Sequence, residues 1–175
     1  MADITPNLQD YLDFAEATAR EAGALTLDYF LTDAAKPEFK GDDTPVTVAD
    51  RNAEKHIREQ IGARFPDHLI VGEEFGSDGA GGDGVYRWII DPIDGTKSFV
   101  HGVPLYAVLL ALEINGNVEV GCAYFPALDE MISGANGLGA FWNGEPCHVS
   151  SEAKLDRAVC AHIDTAYFAK NGKGA

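Results

Sequence analysis

The chain has 175 residues, of which 46% are hydrophobic, and its 28 acidic and 13 basic side chains give a formal net charge of −15. This predicts one main domain with a substantial core, and it excludes nucleic acid and anionic membranes as favoured partners, because both would be repelled. No apolar run is long enough to span a membrane, and the first residues lack the basic and apolar regions of a signal peptide.

Helical periodicity predicts two helices near the start of the chain. Thr5-Pro6 is expected to begin the first helix, in which apolar side chains recur at Leu8, Tyr11, Leu12, Ala15, Ala19, Ala22 and Leu25. A polar loop is expected over residues 36–45. The second helix is predicted to start with a capping box at residues 47–50 and to stop at Pro66, with one face formed by Ala53, Ile57, Ile61 and Phe65.

Strand-type segments follow the helices. A short strand is predicted from His68 to Val71, and five glycines between residues 76 and 84 indicate a mobile connection. The nearly continuous apolar run 105–112 fits a strand buried on both faces. Asn-Gly pairs predict tight turns at 115–116, 136–137 and 143–144, between strands at 118–124, 130–135 and 138–142. The fold class is therefore α+β, with two N-terminal helices packed on a largely antiparallel sheet.

Two acids three residues apart follow an apolar run in the stretch Trp88-Ile89-Ile90-Asp91-Pro92-Ile93-Asp94-Gly95-Thr96. On a straight strand such positions point to opposite faces, but Pro92 cannot continue the strand ladder, so we expect a turn that aims both carboxylates at one point. Gly95 permits close approach of a ligand, and Thr96 is predicted to open a short helix that ends before Gly102. Because free N–H groups at a helix start bind phosphate, the stretch indicates a metal-assisted phosphate site. The alternative is a turn whose acids merely cap the helix.

Two more acids are candidates for the same site. Glu73 leaves a strand at a glycine and can reach a shared cleft, or it is a solvated loop acid. Asp50 can join the site, or it only caps its helix. The histidines have no metal-ligand spacing, so a zinc site is not expected, whereas carboxylate and carbonyl oxygens suit Mg²⁺ or Mn²⁺. Divalent cations would also offset the repulsion between this acidic protein and a phosphate ester.

Two further patterns bear on the class of protein. No Gly-x-Ser-x-Gly motif is present, which argues against a serine hydrolase. The three cysteines form no Cys-x-x-Cys pair, which favours a reducing compartment, so we expect a cytoplasmic protein.

Three blocks together carry a family resemblance: residues 45–50 with Ala53-Glu54, then Gly72-Glu73-Glu74, then residues 88–96. In order and spacing they resemble the inositol monophosphatase family of metal-dependent phosphatases, over roughly residues 8–150. Phe39-Lys40 with residues 44–47 and 94–99 is most similar to the bacterial histidinol-phosphatase branch. The resemblance implies the N-terminal half of the layered α/β sugar-phosphatase fold, in a cytoplasmic homodimer.

The same resemblance implies a Mg²⁺-dependent phosphomonoesterase that acts on a small phosphate monoester. Histidinol phosphate, a compound of histidine biosynthesis, is the first choice of substrate, and inositol 1-phosphate is the alternative. Two or three Mg²⁺ ions are implied, with Mn²⁺ as a substitute. Such ions bring the pKa of a bound water from 15.7 towards roughly 7 and stabilise the attacking and leaving oxygens of an in-line displacement.

Particular residues receive roles from this resemblance. Glu73, Asp91 and the main-chain carbonyl of Ile93 would hold the first metal. Asp91 would bridge to a second metal shared with Asp94, and a weakly held third ion would lie beside Glu73.

The attacking water and the phosphate would be held by neighbouring groups. Thr96, hydrogen-bonded to Asp50, would position the water and help to deprotonate it. The backbone N–H groups of Gly95 and Thr96 would bind the phosphate.

The chain departs from the family in one respect. The family supplies another aspartate for the second metal from a Trp-Asp motif, but here Trp88 and Trp142 are followed by Ile89 and Asn143. We therefore expect residues 1–150 to form the metal-binding phosphatase domain and residues 151–175 to begin a truncated or missing C-terminal α/β domain. A product of 175 residues would then bind the second metal weakly and show little or no turnover.

Two other classes stay open at this point. A haloacid-dehalogenase-type phosphatase uses an aspartate nucleophile in an Asp-x-Asp-x-Thr signature, in which the acids are two apart rather than three. A non-catalytic domain that binds sugar phosphates would bind its ligand regardless of Mg²⁺ and of an Asp91→Asn substitution.

Overall fold

The computed structural model describes residues 7–33, 37–39, 45–78 and 85–159. Its helices are α1 (Leu8–Leu27), α2 (Val48–Arg64) and α3 (Thr96–Val100). A two-stranded ribbon consists of β1 (Glu38–Phe39) and β2 (Pro45–Val46). The main sheet contains β3 (Leu69–Gly72), β4 (Gly76–Asp78), β5 (Tyr86–Asp94), β6 (Ala107–Ile114), β7 (Asn117–Phe125), β8 (Glu130–Ala135), β9 (Gly139–Trp142) and β10 (Glu145–Cys147). The predictions for residues 40–44, 79–84 and 160–175 lie outside the described residues.

The main sheet has the strand order β10-β9-β8-β7-β6-β5-β3-β4. Its described neighbours pair antiparallel except β3 and β5, which are parallel. The predicted α+β class with helices on a largely antiparallel sheet is therefore confirmed. No helix in the described part of the chain is both long enough and apolar enough to cross a membrane.

Helix α1 begins later than predicted. Its N-cap is Asn7, whose side chain accepts a hydrogen bond from the backbone N of Gln9 at 3.2 Å. The predicted start at Thr5-Pro6, which itself lies outside the described residues, is therefore wrong, because the Asn side chain satisfies the first free N–H groups as well as Thr does. The predicted apolar face is confirmed by its buried members Leu12, Ala15, Ala19 and Ala22.

Helix α2 has the predicted boundaries. Thr47 and Asp50 form the capping box, and Phe65 is the C-cap immediately before Pro66. Ala53, Ile57 and Ile61 are fully buried in the core cluster shared with α1 and β5. The helix is therefore held by its apolar face, while its capping residues are left at the edge of the sheet.

Strand β6 is buried on one face rather than two. Val108, Leu110 and Leu112 lie in the core beneath α1, whereas Leu109 and Ala111 stay half-buried. The expectation of burial on both faces is wrong for the described residues, because α1 and α2 pack on the same side of the sheet. The opposite side carries partly exposed apolar side chains, among them Ile89, Ile132 and Trp142.

The Asn-Gly pairs at 115–116 and 143–144 form the predicted tight turns, whereas at 136–137 only Gly137 has a positive φ and the loop spans residues 136–138. Asn115 and Gly116 have φ values of 53° and 85°, and Asn143 and Gly144 have 50° and 83°. Two successive residues with positive φ match the right-handed twist of a hairpin, and Asn and Gly tolerate this conformation best. These two turns connect β6 to β7 and β9 to β10 as antiparallel pairs.

Candidate active site

The two central aspartates lie on either side of a β-bulge. Asp91 is opposite Leu109, and Asp94 is opposite Ala107, so β5 advances three residues while β6 advances two. The extra residue shifts the alternation of side chains by one, which brings positions three apart to the same side of the sheet. The predicted turn at Pro92 is therefore wrong, since β5 continues to Asp94, but the predicted convergence of the two acids follows from the bulge.

Glu73 joins this pair because β3 and β5 run parallel. The backbone N of Glu73 donates to the carbonyl of Ile90 at 3.2 Å, immediately before Asp91. The side chains of Glu73 and Asp91 are hydrogen-bonded to each other. Burial raises the pKa of Asp91 to about 8, with further contributions from Glu73 and Asp94. Glu73 and Asp94 therefore both interact electrostatically with Asp91.

Asp91 has an unsatisfied oxygen. Its Oδ1 atom is buried and has no hydrogen-bond partner among the described residues. A buried carboxylate oxygen without a donor is costly, because it loses hydration and receives nothing in exchange. A divalent cation would compensate this oxygen and the repulsion from Glu73 and Asp94, and an all-oxygen donor set is the one that Mg²⁺ prefers. The residues present thus fit a hard divalent cation.

The site is not preassembled around such an ion. No three His, Cys, Asp or Glu side chains of the described residues form a group close enough to hold a metal.

Asp50 serves two roles at once. Its Oδ2 atom accepts from the backbone N of Thr47 at 2.8 Å and from Thr47 Oγ1 at 2.6 Å. Its Oδ1 atom accepts from Thr96 Oγ1 at 3.4 Å, across 46 residues of sequence. Burial raises the pKa of Asp50, while the hydrogen bonds from Thr47 lower it. One oxygen of Asp50 thus caps α2, which confirms the capping interpretation, while the other contacts Thr96.

Thr96 follows Asp94 by two residues in the sequence and contacts Asp50. Its single hydroxyl proton lies between two acceptors, Asp50 Oδ1 and the main-chain carbonyl of Ile93, which is 3.1 Å from Oγ1. Helix α3 starts at Thr96 and has His101 as its C-cap, followed by Gly102, which confirms the predicted short helix. Gly95 has φ of 91°, the left-handed region that favours glycine, so its backbone conformation rather than space for a ligand explains the residue type.

Sequence reasoning assigned no role to Glu54 or Arg58. Both lie on α2, and the fully buried carboxylate of Glu54 accepts from the backbone N of Glu74, directly after Glu73. The available signal was an acid followed four residues later by a base on one helix face, a spacing that brings the two side chains together.

Comparison with known proteins agrees with this architecture. Residues 7–168 match the sequence profile of the Inositol monophosphatase family. The chain is 49% identical over 165 residues to a histidinol-phosphatase of Chlorobaculum parvum, an alignment that covers 94% of this chain and 61% of that protein.

Two solved structures have the same fold over most of this chain. The extragenic suppressor protein suhB of Bartonella henselae superposes with a TM-score of 0.77 at 33% identity, over 83% of this chain and 57% of that one. An inositol monophosphatase from Anabaena superposes with a TM-score of 0.74 at 39% identity, over 86% of this chain and 53% of that one. The chain thus spans between half and two thirds of the length of these relatives.

Proposed function

The chain belongs to the inositol monophosphatase family, and from this premise we propose that it takes part in Mg²⁺-dependent hydrolysis of a small phosphate monoester. The observation that carries the proposal is Asp91, whose buried Oδ1 atom has no hydrogen-bond partner within the described part of the chain and whose neighbours Glu73 and Asp94 are both acidic. A purely structural carboxylate would be paired with a base or with several N–H donors.

We assign the cation ligands by combining the resemblance with this geometry. Glu73, Asp91 and the carbonyl of Ile93 would hold one Mg²⁺, Asp91 and Asp94 would share a second, and a third would be held weakly beside Glu73. Mn²⁺ would fit the same oxygens. When bound, these ions lower the pKa of water and neutralise charge on the phosphate.

Asp50 and Thr96 would orient the attacking water. Thr47 holds one oxygen of Asp50, so the other is fixed towards the Thr96 hydroxyl. Because burial raises the pKa of Asp50, its carboxylate accepts a proton more readily than a solvated aspartate does. The Thr96 hydroxyl can then accept a hydrogen bond from water on its lone pair while it donates to Asp50. The backbone N–H groups of Gly95 and Thr96 would bind the phosphate.

Histidinol phosphate is our first choice of substrate, and inositol 1-phosphate is the second. The 49% identity to a protein named histidinol-phosphatase supports the first choice. The likeness to an inositol monophosphatase supports the second. The chain spans 61% of the length of the C. parvum protein, and we propose that residues 151–175 belong to a further α/β domain.

The test measures both binding and phosphate release. The 175-residue chain is titrated with histidinol phosphate and with inositol 1-phosphate by calorimetry, with Mg²⁺ and with EDTA, and released phosphate is followed in parallel. We expect Mg²⁺-dependent binding that prefers histidinol phosphate and is lost in Asp91→Asn. Glu113→Gln, a change of the same kind outside the site, is the control. Binding that ignores both Mg²⁺ and Asp91→Asn would instead favour a non-catalytic sugar-phosphate-binding domain.

We further propose that the protein functions in the cytoplasm as a homodimer. Free thiols in the described residues, Cys122 and Cys147, are compatible with a reducing compartment. Burial raises the pKa of Cys122 to about 12, which keeps this thiol protonated and unreactive. Sedimentation of the purified protein would test the dimer.

A further inference from the structure

The turn that carries Glu73 is tied to helix α2 through a buried carboxylate. Glu54 has no exposed surface, and its Oε2 atom accepts from the backbone N of Glu74 at 2.7 Å. Its Oε1 atom accepts from the backbone N of Phe75 at 3.3 Å and from Nε of Arg58 at 2.8 Å. A buried charge is stable only when donors replace its hydration, and here two amides and a guanidinium do so.

Arg58 extends this connection to the next strand. Its Nη1 atom donates to Asp78 at 2.7 Å and its Nη2 atom to the carbonyl of Gly76 at 2.5 Å. Its guanidinium also lies 5.9 Å from the centre of the Phe75 ring. The Glu54–Arg58 pair therefore contacts the backbone or side chains of residues 74–78, which include the whole of β4.

The backbone before Glu73 is packed against the same carboxylate. A Cβ atom at Gly72 would overlap Glu54 Oε1, so a larger residue would displace Glu54 or the strand. On its other side, Glu73 donates its backbone N–H to Ile90 on β5. The main chain at Glu73 is thus restrained by the packing of Gly72, by the hydrogen bond of Glu74 to Glu54 and by its own hydrogen bond to β5.

We propose that Glu54, supported by Arg58, is a positioning residue that holds Glu73 against Asp91 and thereby sets the affinity for divalent cations. The inference rests on the proposed function, because it assumes that Glu73 and Asp91 bind a cation. Acids that repel each other need a rigid backbone to stay adjacent, and the hydrogen bonds from the Glu74 and Phe75 amides to Glu54 restrain the backbone directly after Glu73. Outer partners that orient metal ligands typically change metal affinity by about 10–100-fold when removed.

The test compares Glu54→Gln with Glu113→Gln. Both substitutions remove the acid of an ion pair with an arginine, but Glu113 pairs with Arg87 at 2.9 Å, at the end of β5 away from Asp91. Mn²⁺ binding is measured from the electron paramagnetic resonance signal of the free ion, and exchange of the Glu74 and Phe75 amides is followed by mass spectrometry. We expect Glu54→Gln to weaken Mn²⁺ binding by about tenfold or more and to speed exchange of both amides, whereas Glu113→Gln changes neither.

The outcomes separate the two proposals. If the unaltered chain does not bind Mn²⁺, the proposed function fails. If it binds and folded Glu54→Gln binds equally well, or if Glu113→Gln weakens binding as much, the positioning role is wrong. If Glu54→Gln does not fold, Arg58→Gln is the second variant. It keeps the hydrogen bonds from the Glu74 and Phe75 amides to Glu54 and removes those from Arg58 to Asp78 and Gly76. Unchanged Mn²⁺ affinity in Arg58→Gln would then overturn the role of the pair.

Discussion

Asp91 shows how strongly the chemistry of one residue depends on its surroundings. Its pKa is raised from 3.8 to about 8, first by burial and then by Glu73 and Asp94. The folded chain without metal therefore keeps a proton on this group through pH values at which the unfolded chain has lost it. The stability that this group contributes is full below about pH 4 and is lost as pH rises through about 8.

We expect Asp91→Asn to stabilise the metal-free protein at pH 7.5, because Asp91 must take up a proton to fold at this pH, whereas a neutral amide need not. In EDTA its melting temperature should exceed that of the unaltered chain. It should also fall less between pH 5 and 8, because the unaltered chain binds about one more proton in the folded state than in the unfolded state. Mg²⁺ should raise the melting temperature of the unaltered chain only. A stabilising effect of Mg²⁺ that persists in Asp91→Asn would contradict this assignment.

His68 should produce the opposite dependence on pH. Its Nδ1 atom accepts from Trp88 Nε1 at 3.1 Å, and its ring stacks on Phe65 and Tyr86 with centroids 4.8 and 4.6 Å away. Burial lowers the pKa of His68 below 6.5, although Asp67 opposes the shift. The stability due to neutral His68 is thus present above pH 6.5 and is lost as pH falls through the folded pKa.

His68→Gln retains an acceptor for Trp88 but cannot be protonated in this range. Urea unfolding at pH 7.5 and 5.5 should therefore show a larger loss of stability for the unaltered chain than for His68→Gln. Titration of other groups is common to both proteins and cancels in the comparison. Equal losses would mean that His68 is protonated in the folded state as readily as in the unfolded one.

At the scale of elements, β5 has two faces with different surroundings. Ile90 is 3% exposed under the helices, whereas the adjacent Ile89 is 38% exposed on the opposite face. The bulge after Ile90 then places the two aspartates at the end of this strand. One strand thus contributes to the core on one face and to the candidate site at its end.

The two isoleucines provide a matched comparison. Ile90→Ala should lower the free energy of unfolding by about 2–5 kcal/mol, as expected for a cavity in a packed core. Ile89→Ala in the same chain should cost only about 1 kcal/mol, because much of its surface is exposed already. Urea denaturation measures both. Equal costs would mean that the second face is covered in solution, for example by another copy of the chain.

For the whole molecule, the excess of 28 acidic over 13 basic side chains opposes folding through self-repulsion. We expect NaCl to raise the melting temperature in EDTA, since the screening length shortens from about 30 Å at 0.01 M to about 10 Å at 0.1 M. This general effect should be nearly the same in the unaltered chain and in Asp91→Asn, unlike the effect of Mg²⁺. A melting temperature that is independent of NaCl would show that the excess charge is dispersed too widely to matter.

The sequence alone determined what depends on neighbours along the chain. The apolar face of α1, the capping box of α2, the Asn-Gly turns and the short helix at Thr96 follow from spacing and local backbone preference. The family and its candidate acids could also be identified, because their motifs are contiguous blocks. The start of α1 was misplaced because Thr5 and Asn7, two residues apart, are comparable N-caps.

Only the tertiary structure decided what depends on pairing between distant segments. The bulge at Pro92 required the register of β6, and the second role of Asp50 required the position of Thr96. Burial of β6 on one face depended on which side of the sheet the helices occupy. Contacts such as that of Glu54 with the turn after Glu73 arise from the folded path of the backbone, and neither periodicity nor residue type records that path.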